Sequence, residues 1–291
     1  MKERTIYALG FFDGVHKGHQ TLLSACRQLA SFTGCKAGVV TFTSHPDALV
    51  LGNAPLLINT PEDRKMLLQQ YHMEKILELP FDRSLMEMPW QDFLAQLCQA
   101  GAVGFICGED FRFGKGGAGT AQRLEEYCRE QDLFWSVIPE QTLDDIRISS
   151  TYIRKLLEQG EMTAATRFLG HPHILSGIVN HGRGLGRTIH IPTANLTIPE
   201  GVVCPAYGVY ACKAMVDGNE YRAVTNIGMR PTVNGHHLTV EAHLLDYSGD
   251  LYGKQLTLEF YDFLRPEQKF DSLEDLQKQI QLDVKKIRVG Q

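Results

Sequence analysis

Apolar residues in the first half of the chain fall into short runs, separated by longer stretches in which they recur at helical spacing. The runs predict five strands, over residues 5–9, 36–43, 75–81, 103–107 and 133–138. The intervening stretches predict helices over residues 20–32, 61–72, 89–100 and 120–130. Strands that alternate with helices of roughly 10 to 15 residues are typical of a parallel sheet covered on both faces. The pattern therefore predicts an α/β domain with a doubly wound parallel sheet.

The pattern changes in the second half, where glycine and proline separate short alternating segments. These segments predict strands over residues 174–180, 208–216, 221–227, 238–245 and 255–263, with a hairpin turn at Asp217-Gly218-Asn219. An apolar stripe at helical spacing predicts a long amphipathic helix over residues 272–287. We therefore predict an antiparallel sheet or small β-barrel, followed by a C-terminal helix.

A connector joins the two halves. Residues 151–169 predict two short helices broken at Gly160, and Pro172 disfavours helix at the residue before it. We therefore place a domain boundary near residue 170, which divides the chain into residues 1–170 and residues 171–291.

A turn rich in glycine and histidine follows the first predicted strand and precedes the first predicted helix. Backbone N–H groups at such a turn, together with the positive end of the helix dipole, favour phosphate binding. His16 and His19 are spaced so that both imidazoles can donate hydrogen bonds to charge that develops during attack on phosphorus. We predict that both are catalytic and that phosphate is also bound by their neighbours Gly10, Phe11, Asp13, Gly14 and Gly18. The alternatives are a turn with two solvated histidines and a structural zinc site, although no third or fourth zinc ligand is spaced nearby.

A second polar segment follows the fourth predicted strand, at the edge where such sheets bind ligands. It holds Asp110, Phe111 and Phe113 and leads into a glycine-rich loop at residues 114–119. One interpretation is a lid over a flat aromatic ligand. The other is a mobile connector beside two core phenylalanines.

Three consecutive hydroxyl residues, 149–151, precede the helical pattern of the connector. Ser150 and Thr151, with Arg147 and Arg154 on either side, suit a phosphate clamp at a helix start. The simpler interpretation is a helix N-cap with a spare serine. Since a histidine turn on a doubly wound sheet precedes this segment, we favour the clamp.

Candidate phosphate and metal ligands open the second half. Gly182, Gly184 and Gly186 alternate beside Arg187, so that their backbone N–H groups can surround a phosphate; a plain glycine-rich hairpin is the alternative. Thr193 and Asn195 follow on one side of an extended segment. Two neutral oxygen ligands, completed by ATP phosphates and water, suit Mg²⁺.

A single carboxylate completes the candidate chemistry. Glu241 lies on the polar face of a predicted strand, because Leu238, Val240 and Ala242 alternate with it. A carboxylate there can accept the proton of a substrate hydroxyl during phosphoryl transfer. Most strand glutamates are simply solvated, so the assignment depends on context.

Composition narrows the class of protein. The chain has 291 residues, of which 43% are hydrophobic, and a formal net charge of −5, which is ordinary globular composition at a length that suits two domains. The acidic balance predicts no general attraction to nucleic acid or to an anionic membrane. Seven scattered cysteines without a C-x-x-C pair predict reduced thiols and a cytoplasmic location. Neither a signal peptide nor a run of membrane-spanning length is predicted.

Several segments resemble a known family. G-F-F-D-G-V-H-K-G-H (10–19), T-F-T-S-H-P (41–46), G-E-D-F-R-F-G (108–114) and R-I-S-S-T-Y-I-R (147–154) resemble the FAD synthetase module of bacterial bifunctional riboflavin kinase/FAD synthetases. P-T-A-N (192–195), V-E-A-H-L-L-D (240–246) and F-L-R-P-E-Q-K-F (263–270) resemble its flavokinase module. The resemblance implies a six-stranded Greek-key barrel, Mg·ATP held by Thr193 and Asn195, Glu241 as the base on the riboflavin 5′-hydroxyl, and Arg265 on a loop near the flavin.

The expected function follows from both halves. The second would phosphorylate riboflavin with ATP to FMN, and the first would transfer AMP from ATP to FMN, giving FAD and pyrophosphate. Two departures from the family pattern stand out: Ser44 replaces a proline, which we expect to alter loop rigidity more than chemistry, and His190-Ile191 replaces Gly-Phe beside the nucleotide pocket. The alternatives are a FAD synthetase whose barrel has lost kinase turnover, and a flavin-binding regulatory protein.

Overall fold

The computed structural model of the chain describes residues 3–181, 191–232 and 235–289. They form two compact units. The first comprises Met1–Leu57 and Arg64–Ser150, and the second comprises Ile58–Asp63 and Thr151–Gln291.

A parallel sheet forms the centre of the first unit. Its strands are β1 (Thr5–Leu9), β2 (Lys36–Phe42), β3 (Lys75–Leu79), β4 (Ala102–Gly108) and β5 (Phe134–Ile138), in the spatial order β3-β2-β1-β4-β5. The chain moves outward from β1 to β3 and then returns to the other side of β1 with β4. The strand order therefore reverses between β1 and β4, and ligands bind beyond the carboxyl ends of the strands at such a point.

Helices connect these strands. They are α1 (Lys17–Thr33), α2 (Pro46–Val50), α3 (Pro61–Gln70), α4 (Arg83–Met86), α5 (Trp90–Gln99) and α6 (Ala121–Glu130). The core of this unit contains Leu9, Leu94, Phe105 and Leu124, all of which lie in the predicted strands and helices. The predicted α/β class with a doubly wound parallel sheet is confirmed.

The structure differs from the predicted elements at short local features. Helix α1 begins at Lys17 rather than at residue 20, because the His16 side chain caps it by accepting a hydrogen bond from the His19 N–H. Helices α2 and α4 and the hairpin of β6 (Thr142–Leu143) and β7 (Ile146–Arg147) were not predicted. None of these helices and strands is longer than five residues, which is too short to show a hydrophobic period.

Thr60 and Asp63 have the spacing of a capping box at the start of α3. The backbone N–H of Asp63 donates to Thr60 Oγ1 at 3.0 Å, as a cap requires. The Asp63 carboxylate also accepts a hydrogen bond from the backbone N–H of Ser176 at 3.3 Å, a partner 113 positions away in the chain.

The second unit contains two short helices and an antiparallel sheet. The helices are α7 (Ser150–Glu158) and α8 (Met162–Leu169), separated at Gly160 as predicted. The strands are β8 (His173–Ile178), β9 (Ala194–Leu196), β10 (Gly208–Val216), β11 (Asn219–Thr232), β12 (Gly235–Leu244) and β13 (Gln255–Pro266), in the order β8-β13-β10-β11-β12-β9. A bridge between Asn180 and Asn195 brings the two edges of this sheet together. The predicted six-stranded β class is confirmed.

The C-terminal helix completes the second unit. Helix α9 (Leu273–Val289) begins where predicted, because Ser272 caps it by accepting a hydrogen bond from the Asp275 N–H. Its stripe of Leu276 and Ile280 faces a cleft of the sheet described below.

A buried histidine predicts a pH dependence of stability. Burial, and secondarily His171, lowers the pKa of His173 to about 3, and the residue is 1% exposed. Between about pH 6.5 and pH 3 the unfolded chain takes up a proton at this residue while the folded unit does not, so stability falls as the pH falls. At a pH two units below 6.5, this difference in proton binding lowers the free energy of unfolding by roughly 2–3 kcal/mol.

We expect urea unfolding of the second unit to lose roughly 2–3 kcal/mol more between pH 7 and pH 4.5 in the unaltered protein than in His173→Leu. The leucine is apolar and does not titrate. Equal losses in the two proteins would show that His173 is not the responsible group.

Candidate active sites

The first unit contains a cleft of ≈ 220 Å³ at the point where the strand order reverses. It is lined from the β1 end by Gly10, Phe11, Phe12, His16, Gly18 and His19, from the β4 end by Gly108, Asp110 and Phe111, and further along the chain by Glu140, Gln141 and Arg147. Both predicted catalytic histidines therefore line one cleft together with several of their predicted neighbours.

The two imidazoles stack against each other. Their ring centroids are 3.6 Å apart with an interplanar angle of 13°. The His19 backbone N–H donates to His16 Nδ1 at 3.3 Å, so the neutral His16 ring carries its proton on Nε2. Within the described residues, His19 Nδ1 is buried and has no hydrogen-bond partner. The pair thus places polar ring atoms at the start of α1, where the helix dipole favours an anion.

His19 is held neutral by its surroundings. Burial, the neighbouring His16 and the guanidinium of Arg64, in that order, lower the pKa of His19 well below 6.5. Arg64 is 2% exposed and donates to the carbonyl oxygens of Phe11 at 3.3 Å and Phe42 at 2.7 Å. Its Cζ also lies 4.3 Å from the centroid of the Phe11 ring. Sequence reasoning missed Arg64, because its partner Phe11 is 53 positions away and the local pattern showed only a helix start.

The glycines of the turn make room for the ring pair. A Cβ at Gly18 would lie 3.2 Å from Cε1 and Nδ1 of His16, so only glycine leaves the imidazole its position without a shift. Asp13 and Gly14 do not line the cleft: both are buried in a short 3₁₀ turn, and Gly14 has a φ of 76°. Their predicted phosphate contacts stay a prediction.

The residues of the predicted phosphate clamp do not all belong to the same unit. Ser150 Oγ donates to the Asp13 carbonyl at 2.9 Å, which ties the start of α7 to the histidine turn. Arg147 lines the cleft and pairs with Asp110 at 2.6 Å and Glu140 at 2.7 Å. Thr151 and Arg154 belong to the second unit, where Arg154 Nη2 donates to Thr151 Oγ1 at 3.1 Å. Their phosphate contacts also stay predictions.

A second, more apolar cleft of ≈ 550 Å³ opens in the first unit beside the glycine-rich loop. Its lining includes Phe42, Phe81, Phe93, Arg112, Phe113 and residues 114–117 of the loop. Phe113 stacks on Phe111 with ring centroids 5.6 Å apart. Phe113 is thus both a core residue and a wall of this cleft, whereas Phe111 and Asp110 line the histidine cleft. The predicted contact of these residues with a flat aromatic ligand stays a prediction.

The second unit has a cleft of ≈ 330 Å³ between its sheet and α9. Three predicted site residues line it together: Thr193, Glu241 and Arg265. Asn226, Glu267, Gln268 and Asp283, which sequence reasoning missed, line it as well. Most of the remaining walls are apolar.

Strand register explains the placement of Glu241. It pairs with Asn195 of β9 on one side and with Asn226 of β11 on the other. Directly paired residues share one face of a sheet, so three polar residues form a row across the cleft side. Asn195 Nδ2 lies 3.5 Å from the Thr193 carbonyl, and His243 Nδ1 lies 2.8 Å from the Pro192 carbonyl, which holds the segment of Thr193 against β12.

One prediction for this cleft is corrected. Arg265 was expected on a loop, but it lies in β13, one residue before the strand ends. Its register partner is Val209 of β10. An ion pair to Asp283 of α9, with N–O distances of 2.9 and 3.0 Å, holds the side chain there. The predicted strand ended at residue 263, where the apolar alternation stops. Hydrogen bonding to β10 continues β13 beyond that point.

Several candidate residues lie outside the described part of the chain. They are Gly182, Gly184, Gly186 and Arg187, together with His190. Ile191, in contrast, is buried in the wall of the barrel cleft.

Among the described residues, no group of three or more His, Cys, Asp or Glu side chains is placed to hold a metal ion. Along the same ranges, no helix has the length and apolar character needed to cross a membrane.

Comparisons with known proteins match both units. The FAD synthetase family model matches residues 1–152, and the riboflavin kinase family model matches residues 169–289. A bifunctional riboflavin kinase/FMN adenylyltransferase from Bacillus subtilis is 34% identical over 287 residues, covering 96% of this chain and 90% of the relative. One from Haemophilus influenzae is 37% identical over 280 residues, covering 95% and 91%.

A solved structure agrees in fold over almost the whole chain. It is described as a macrolide-efflux protein from Streptococcus pneumoniae, is 30% identical, covers 99% of this chain and 95% of its own, and superposes with a TM-score of 0.89. Together the folds, clefts and family models define a two-domain protein with a FAD synthetase module and a riboflavin kinase module. The chain belongs to the bifunctional riboflavin kinase/FMN adenylyltransferase family.

Proposed function

We propose that this enzyme phosphorylates riboflavin with ATP to FMN in its second unit and adenylylates FMN with ATP to FAD and pyrophosphate in its first. The observation that carries the proposal is that each unit has its own cleft, lined by a separate set of the residues predicted to bind phosphate or to take part in its transfer. Stacked imidazoles line one, and a carboxylate beside a threonine lines the other. We further propose that the boundary between the adenylyltransferase domain and the kinase domain lies near residue 170.

In the first unit, the FMN phosphate attacks the α-phosphorus of ATP. That phosphate is ionised at neutral pH, so the step needs no strong base. Neutral His16 and His19 donate hydrogen bonds to the oxygens on which charge develops, and the N-terminus of α1 adds its dipole. Gly10, Phe11 and Gly18 leave the backbone close to the phosphates. Ser150, Thr151, Arg147 and Arg154 would hold the triphosphate, with Arg147 exchanging its carboxylate partners for phosphate.

The apolar cleft of the first unit suits the flavin ring of FMN. Its aromatic walls and the glycine loop offer a flat, largely apolar space, as expected for a planar ligand. Phe113 forms one wall, and Phe111 connects it to the histidine cleft by ring stacking. Asp110 would then face the polar part of the ligand.

In the second unit, the nucleophile is an alcohol and needs a base. Glu241 would accept the proton of the riboflavin 5′-hydroxyl as that oxygen attacks the γ-phosphorus of ATP. The neighbouring Asn226 lies directly across the strand pair and can orient the carboxylate or the hydroxyl. Catalysis otherwise consists of positioning and charge stabilisation.

The residues present fit Mg²⁺ bound together with ATP. Thr193 and Asn195 supply two neutral oxygens beside Glu241, and so few protein ligands suit an ion that retains water and phosphate oxygens. Mg²⁺ would supply charge neutralisation of the phosphates there. Residues 182–187 would contribute backbone N–H groups to the same phosphates.

We also propose a cytoplasmic location, which agrees with seven free thiols.

A flavin assay tests this function. The purified protein is incubated with riboflavin, ATP and Mg²⁺, and the flavins are separated over time. We expect FMN to appear first and FAD to follow. FAD formed only from added FMN would show a barrel without kinase turnover. Tight flavin binding without any product would favour the regulatory alternative and overturn the proposal.

A further inference from the structure

Helix α9 carries a buried carboxylate among apolar neighbours. Asp283 is 0% exposed, although Leu276 and Ile280 on the same helix face the barrel cleft with aliphatic side chains. Its Oδ2 accepts a hydrogen bond from Nε of Arg265 at 3.0 Å and lies 2.9 Å from Nη2 in an ion pair. Its Oδ1 accepts one from Gln279 Nε2 at 3.1 Å. Both carboxylate oxygens are therefore fixed.

Stability alone does not explain this ion pair. Removing a carboxylate and a guanidinium from water is costly, and apolar residues of similar size in their place are often as stable or more so. The wall of the cleft is already largely apolar, so a hydrophobic pair would suit it. A buried pair that lines a ligand cleft points instead to a role in binding.

The geometry leaves part of the guanidinium available for a ligand. Arginine has five N–H donors. Among the described residues, Asp283 receives a hydrogen bond from Nε and faces Nη2 in the ion pair, and the Pro266 carbonyl receives a hydrogen bond from Nη1 at 3.2 Å. One donor on each terminal nitrogen remains. The Phe270 ring, 5.8 Å from the Arg265 Cζ, restricts the guanidinium further.

We propose that Asp283, supported by Gln279, is a positioning residue that fixes the Arg265 guanidinium so that its two remaining donors meet a carbonyl oxygen of the flavin ring and the acceptor nitrogen beside it. The inference rests on the proposed kinase function, because it requires riboflavin in this cleft. The pyrimidine part of that ring presents carbonyl oxygens next to ring-nitrogen acceptors on a flat, uncharged frame. A rigid, planar donor pair matches such acceptors, and a flexible ammonium does not.

A double-mutant cycle tests the assignment. We expect Asp283→Leu to raise the KM for riboflavin about tenfold, the typical value of a charged hydrogen bond, while the KM for ATP stays within about twofold. Arg265→Leu should have a similar effect. The double variant should bind riboflavin no worse than Arg265→Leu alone, because Asp283 acts only through Arg265. A purely structural role would not confine the rise to the KM for riboflavin, since a distorted cleft would also weaken the binding of ATP.

Matched variants keep the test decisive. Glu274→Gln removes one carboxylate from the same helix away from the cleft and should leave both KM values unchanged. FAD formation from supplied FMN reports that each variant is folded in its first unit, and circular dichroism reports the barrel. If Asp283→Leu does not fold, Asp283→Asn, which retains one acceptor oxygen, should still raise the KM for riboflavin selectively.

Three results would overturn the inference: an unchanged riboflavin KM in the folded Asp283 variants, equal rises for riboflavin and ATP, or additive effects in the double variant. Failure of the proposed kinase function would look different, since the unaltered protein would then form no FMN. In that case quenching of riboflavin fluorescence still reports whether Asp283 and Arg265 act together in binding.

Discussion

Replacing His19 with alanine is expected to stop FAD formation while FMN formation from riboflavin continues at the normal rate. The reason is that His19 lines only the cleft of the first unit, where its ring stacks on His16 at the start of α1. Loss of one such donor typically costs about 3 kcal/mol of transition-state stabilisation, or a hundredfold or more in rate. The rate of AMP transfer to supplied FMN measures the effect.

His72→Asn is the matched control, since it removes an exposed imidazole of the same unit and keeps a residue that tolerates the positive φ of 57° at that position. It should form FAD normally.

The pH profile of FAD formation adds a second check. Because the pKa of His19 is well below 6.5, the ring is already neutral at pH 7, and its deprotonation should cause no loss of rate between pH 6 and 8. Normal FAD formation by His19→Ala would remove this residue from the mechanism.

Replacing Glu241 with glutamine is expected to have the opposite effect. FMN formation should fall by roughly 10²- to 10⁴-fold, the usual contribution of a general base, while FAD formation from supplied FMN is retained. Glutamine preserves the size of the side chain and the strand pairing with Asn195 and Asn226, so the change removes the proton acceptor and little else. Initial rates of riboflavin phosphorylation at saturating ATP measure the effect.

The control for this variant is Glu220→Gln. Glu220 is an exposed carboxylate on β11 of the same unit and pairs with Lys213. It should phosphorylate riboflavin at the normal rate. A Glu241→Gln protein that matches this control would make Glu241 a structural residue, and the kinase chemistry would need another base.

Much of the fold could be predicted because its signals are local. The five parallel strands are continuous apolar runs, the long helix α9 carries a hydrophobic period, and the turn of His16 and His19 follows a strand that the pattern had already identified. Glu241 could be predicted for the same reason, since alternation alone places it on the polar face of β12.

The rest of the site depends on contacts that no local pattern shows. Asn226 reaches the cleft through its register with Glu241, and Asp283 does so through a helix that packs against a strand 18 positions earlier. Arg64 looked like an ordinary first-turn residue of α3, yet it is buried against Phe11. In each case tertiary packing, and not periodicity, determines where the side chain lies.

Mixing the two catalytic variants tests the central claim, that two independent sites in one chain each direct an ATP phosphorus toward a flavin. With riboflavin, ATP and Mg²⁺, His19→Ala alone should stop at FMN, and Glu241→Gln alone should leave riboflavin largely unchanged. A mixture of both should form FAD, because FMN released by one variant is the substrate of the other. Loss of both activities in either variant, or FAD formation from riboflavin by either variant alone at the normal rate, would contradict the account.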